Sequence, residues 1–189
     1  MSITASYRRL TPGEFQKYLD DPITAASANL FNLDEIDDDF EDNLGDEFDF
    51  DAAARSGRSL DIGKFWHGLH FLLTGNTEMD TTTVPPPLGN VVLGGTPTKW
   101  EATYGRVRSL TPEEVNEVAS ALEDTTLKDL RRRSLSQFGA EHLYGYHDLP
   151  RGSRLSDEDV EAVLEVFEEV RDFFVVAAQE GDVMLLSSD

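Results

Sequence analysis

At 189 residues, with 39% hydrophobic and 10% aromatic residues, the chain is long enough for one domain with a substantial core. It has no cysteine, which excludes disulfides, thiolate nucleophiles and Cys-based metal sites. A formal net charge of −21 opposes contact with phosphate backbones and anionic lipid, so neither nucleic acid nor membrane is an expected partner.

The charge is concentrated in two places. Between Asp34 and Asp51 eleven residues are acidic and none is basic; between Ser156 and Asp189 eleven are acidic and only Arg171 is basic. The opening residues carry no apolar run of signal-peptide length, and no stretch reaches the 18 or so apolar residues of a membrane span. A cytoplasmic location is therefore expected.

In chain order, Ile3 to Arg9 reads as a strand that runs into Leu10-Thr11-Pro12-Gly13-Glu14, a helix start in which Thr11 caps, Pro12 takes the first helical position and Glu14 closes the capping box. That helix should stop before Pro22, and a short apolar piece follows from Ile23 to Phe31. Across the first acidic segment Ile36, Phe40, Leu44 and Phe48 fall four apart, which predicts a docked helix with a charged outer face. Ala52 to Ser59 reads as a linker.

Leu60 to Gly75 is expected to be one buried helix, apolar almost all round, with Asp61 as its N-cap and Gly75 closing its C-terminus. Thr81 to Gly89, with three consecutive prolines, is expected to be an irregular loop, and Asn90 to Gly95 a short buried strand. Gly105 to Ser109 is a second strand leading into a capped helix, Thr111 to about Leu122. Leu127 to Leu135 predicts a further helix, with Arg131, Arg132 and Arg133 fanned around its last turn, a poor footprint for nucleic acid. Ser136 to Arg154 reads mostly as loop. From Asp157 to Glu180, Val160, Val163, Leu164, Phe167, Val170 and Phe174 keep helical spacing beneath an acidic opposite face. Gly181 ends that helix, and Val183 to Leu186 forms an inner closing strand. The resulting expectation is a single α+β domain over residues 1–189: a small mixed sheet of about four strands, packed with several helices that include a long C-terminal amphipathic one.

The unusual run Trp66-His67-Gly68-Leu69-His70-Phe71-Leu72-Leu73-Thr74-Gly75 resembles the YfbM-like family of small bacterial proteins, a domain-of-unknown-function group. So do Val92-Leu93-Gly94-Gly95, Tyr104-Gly105-Arg106-Val107-Arg108 leading into Leu110-Thr111-Pro112-Glu113-Glu114-Val115, and the last helix with Ala177-Ala178 and Gly181-Asp182-Val183. The resemblance implies a single α/β-type domain and a bacterial cytosolic setting, and supplies no activity.

His67 and His70 lie three apart on one helix, so both rings can reach a common point, as metal ligands or an acid/base pair would require. Further ligands by type are Glu78, His142, His147 and Asp148, but nothing in their spacing joins them to the pair, and no metal or cofactor is expected. The plainer alternative is that the histidines fill a crowded core. A small-ligand pocket is expected where Trp66, His67 and His70 meet Tyr104 and Arg106, because aromatic walls with a few polar groups are what such pockets contain. Arg106 and Arg108 alternate along a strand and so project to one face.

No phosphate-binding loop, nucleophile elbow or calcium loop is present, which leaves catalysis open. The leading expectation is a non-catalytic interaction module that meets a basic protein through its acidic helices, at Asp38 and Asp42 and at Glu161, Glu165 and Glu168. The alternative is a small-molecule binder or enzyme centred on Trp66, His67 and His70.

Overall fold

The computed structural model describes residues 3–20, 57–78, 84–134, 142–146 and 148–189. In chain order these form β1 (Ala5–Leu10), α1 (Pro12–Asp20), β2 (Ser59–Gly63), α2 (Trp66–Thr74), a 3-10 turn (Leu88–Asn90), β3 (Thr96–Ala102), β4 (Gly105–Leu110), α3 (Pro112–Asp124), α4 (Leu127–Ser134), α5 (Asp157–Glu180) and β5 (Val183–Ser188). The strands make one antiparallel sheet in the order β2-β1-β5-β4-β3, so the last strand of the chain lies at its centre.

Period-two alternation divides the sheet between two unequal cores. Ala5, Tyr7, Leu110, Met184 and Leu186 turn to the large core, where α2, α3 and α5 pack. Leu10, Trp100, Val107, Val183 and Leu185 turn to the small one, covered by Phe15, Tyr18 and Leu19 of α1. Within the large core Tyr7 packs edge-on against Phe174, with ring centroids 5.7 Å apart.

Helix α2 is the inner rod: Trp66 to Leu73 are all buried. Its glycine has a packing cause. A Cβ on Gly68 would stand 3.0 Å from Val163 Cγ2, so the missing side chain is what lets α5 approach this closely. Gly75, at φ +75°, ends the helix by donating to the Phe71 carbonyl at 2.7 Å. The Arg133 guanidinium of α4 donates to the last carbonyls of α2, at Leu72 (3.0 Å) and Leu73. Its neighbours go elsewhere, Arg132 to Asp129 and Arg131 to Glu161, which is the fan that three successive helical positions impose.

The three cap signatures form as the sequence implies. In each the hydroxyl of Thr11, Thr111 or Ser156 accepts the backbone N–H three residues on, and that residue's carboxylate accepts in return. Ser156→Ala is expected to cost about 1 kcal/mol in urea unfolding; an unchanged midpoint would show that packing alone holds the start of α5.

Three expectations are corrected. Among the described residues the sheet has five strands, all antiparallel, not about four strands in a mixed arrangement. Leu60 to Gly63 is not the first turn of a helix. Leu60 and Ile62 alternate as edge strand β2, and Asp61 Oδ1 accepts from Gly63 N–H at 2.7 Å instead of capping. Gly63, at φ +53°, then turns the chain into α2. Asn90 to Gly95 is not a strand either. Asn90 Oδ1 accepts from Gly95 N–H at 3.3 Å and closes a turn so tight that a Cβ on Gly94 would lie 2.2 Å from that oxygen. The strand of that region is β3, in spite of Pro97.

The apolar piece Ile23 to Phe31 and the acidic segment Asp34 to Asp51, with Asp38 and Asp42, lie outside the described residues, as does most of Ala52 to Ser59. Among the described residues no helix is long and apolar enough to cross a membrane.

Candidate functional site

The sequence directs attention first to the histidines, and the fold seals both of them. His67 is 2% exposed and His70 1%. The Tyr144 N–H donates to His67 Nδ1 at 2.7 Å, so the ring proton sits on Nε2, which lies 3.0 Å from the Thr77 carbonyl. Both ring nitrogens are thereby occupied, and burial lowers the pKa. Trp66 stacks on His67 (4.7 Å between centroids, 12° between planes) and on Tyr144 (5.6 Å, 29°), and donates its indole N–H to the Ile3 carbonyl at 3.2 Å.

The His70 ring lies 6.4 Å from that of His67. Among the described residues neither of its nitrogens has a hydrogen-bond partner. Burial, with a smaller contribution from His67, lowers its pKa to about 4. It is therefore neutral at physiological pH. Glu78, His142 and Asp148 are exposed, and His147 lies outside the described residues. Among the described residues no group of three or more His, Asp or Glu side chains is placed to hold a metal ion.

The other three residues of the expected pocket do share a wall. A cleft of about 220 Å³ opens where the N-terminal end of α2 and the turn after Asn90 overhang β4 and β5. Trp66, Tyr104, Arg106 and Arg108 line it, over an apolar floor that includes Leu93 and Leu186. Neither His67 nor His70 is among its lining residues. Arg106 and Arg108 both face it because they are two apart on β4. Arg106 Nε is paired with Glu101 at 3.2 Å on the open side. Arg108 is half-buried, donates its Nε to the Gly94 carbonyl at 3.1 Å and has its pKa lowered by burial. The β4–β5 ladder ends at the Arg108–Leu186 pair, and Tyr104 N–H then donates to the Ser188 carbonyl at 2.9 Å.

A second polar cluster was not anticipated. Arg9, 5% exposed, donates from Nε to the buried Asp182 at 2.9 Å and from its terminal nitrogen to Glu180 at 2.5 Å, and lies over the Phe173 ring. Next to it Arg58 forms a two-pronged pair with Glu14, at 3.0 and 2.7 Å, and holds that carboxyl well below the usual range. A basic residue between Tyr7 and Leu10 in a strand was the available signal.

On α5, Glu158, Glu161, Glu165, Glu168, Glu169 and Asp172 are exposed. Glu161 is paired with Arg131, and Arg171 lies 2.9 Å from Asp172 and 3.9 Å from Glu168. Among the described residues no ion pair engages Glu158, Glu165 or Glu169.

No curated protein matches the chain. In structure it is similar to YfbM of Escherichia coli, a protein of unknown function, with a TM-score of 0.58 at 18% sequence identity, over 97% of this chain and 98% of that one. This likeness concerns the fold. The model of a domain of unknown function, DUF1877, matches residues 1–187, and the chain belongs to that family.

Proposed function

We propose that this protein is an interaction module that docks a basic protein partner on the exposed face of α5. The observation that carries the reading is the spacing of the carboxylates: Glu158, Glu161, Glu165, Glu168 and Asp172 recur at intervals of three and four, which lines them along one side of a helix about 36 Å long. The local arginines, Arg131 and Arg171, leave most of that row negative. Each surface pair with a partner is worth only about 0–1 kcal/mol, so the stripe would act chiefly by steering encounter and selecting charge. Asp38 and Asp42 are assigned to the same basic partner under this reading.

Capture from native extract at low and at moderate salt tests it, with wild type compared with E158Q/E165Q/E169Q. These side chains are exposed, so the triple variant should fold normally. Capture of basic proteins that weakens with salt and is lost in the variant is expected; capture unaffected by either change would overturn the reading.

A further inference from the structure

We infer that His67 is an acid-released latch: a proton taken up by its ring frees the segment 142–146 from α2, while the segment at Thr77 stays held. This is independent of the role of α5.

Proton geometry gives the first argument. In the neutral ring Nδ1 accepts the Tyr144 N–H at 2.7 Å, and Nε2–H donates to the Thr77 carbonyl at 3.0 Å. A second proton has only Nδ1 to go to. Two N–H groups then face each other there, a contact that has to open, whereas the bond to Thr77 gains the strength of a charged donor. The ring is 2% exposed and stacked on Trp66, so the segment carrying Tyr144 is the part that yields.

Connectivity gives the second. Tyr144 also stacks on Trp66 at 5.6 Å, and its hydroxyl accepts the Ile3 N–H at 2.7 Å. Trp66 in turn donates to the Ile3 carbonyl at 3.2 Å. Loss of the Tyr144 N–H bond therefore loosens a closed ring of contacts joining 142–146, α2 and the residues ahead of β1. Leu143 is buried beside it, so release exposes apolar surface and the closed form prevails at neutral pH.

The surroundings do not offset a charge on the ring. His70, on the same helix at 6.4 Å, opposes it. From the other elements come the Tyr144 phenol and the exposed His142, the exposed Glu78 just beyond Thr77, Asp159 of α5, which accepts from the Tyr146 hydroxyl at 3.2 Å, and Arg133 of α4, bound at the far end of α2. Among the described residues none of these sets the pKa of His67: burial lowers it, and the Thr77 carbonyl counters part of that. The open form accepts the proton more readily, so acid shifts the balance toward it.

Backbone amide exchange of the full chain, followed by NMR across the range of about pH 5 to 8 in which imidazole titrates and corrected for intrinsic rates, tests the latch. Tyr144 is the reporter, and Leu185 in the central strand monitors global unfolding. In wild type Tyr144 should exchange faster than Leu185, with protection that falls by up to about tenfold per pH unit below 6.5. H67N keeps an acceptor at the Nδ1 position that takes no proton, so the fall at Tyr144 should vanish. H67Q reaches toward Thr77 and offers Tyr144 no acceptor, so Tyr144 should be poorly protected at every pH while Leu185 stays protected. Wild-type Tyr144 exchanging with the rate and pH dependence of Leu185 would overturn the latch, whether or not the variants fold. So would a wild-type slope in H67N.

Discussion

Asp182→Ala is expected to cost about 3–5 kcal/mol of stability, measured by urea unfolding, because it leaves the Arg9 guanidinium buried without its buried counter-charge. Asp182 sits between the end of α5 and the start of the central strand, 1% exposed, so water cannot take its place. Glu180 also contacts Arg9 but is 58% exposed, and its removal should cost no more than about 1 kcal/mol. The pair tethers β1 to the α5–β5 junction, where chain segments more than 170 residues apart meet. Replacing both partners, as R9M/D182L, should recover most of the loss, since a buried ion pair is dispensable once neither charge remains. A cost of D182A below about 1 kcal/mol would mean that the cluster is hydrated and does not act as a tether.

The second large effect is on acid stability. His70 titrates near 6.5 when unfolded and about 4 when folded, because burial disfavours its cation. Above pH 6.5 both states are neutral there and the full stability is present. Between 6.5 and about 4 the unfolded chain takes up a proton that the native one refuses, so stability falls by about 1.4 kcal/mol per pH unit for each such group. His67, its titratable neighbour, is shifted in the same direction and adds to the slope. Glu14, held down by Arg58, loses its contribution below the ordinary carboxylate range and so acts in a lower window. H70L should therefore reduce the loss by one proton's worth across pH 6.5 to 4. At neutral pH it should be neutral or stabilising by about 1 kcal/mol, because it removes an imidazole that finds no partner among the described residues. A destabilised H70L at neutral pH, with an unchanged acid slope, would show that the ring is bonded in the native state.

Local signals were the readable ones. The α5 stripe and the three capping boxes depend on neighbours within one or two turns, and they survive folding unchanged. Sheet order was not readable, because it depends on which strand covers which. The first and last strands meet at the centre only through pairing across nearly the whole chain. The start of α2 was misread because Leu60 and Ile62 fit a helical window as well as a strand, and only Gly63 and the pairing with β1 decide between them.

At the candidate site, Trp66, Tyr104 and Arg106 meet through side-chain direction on β4 and the overhang of α2. The same helical turn that brings Trp66 to the cleft turns His67 and His70 into the core. Three-residue spacing places two rings on one side of a helix but does not say which side faces a cavity.

The account of α2 turns on its two histidines being core residues. Imidazole ¹⁵N chemical shifts followed against pH measure this most directly. His67 as the Nε2–H tautomer, titrating below its ordinary range, and His70 neutral down to about pH 4 are the predicted results. Titration of either ring near 6.5, or a shift of both on adding zinc, would contradict it.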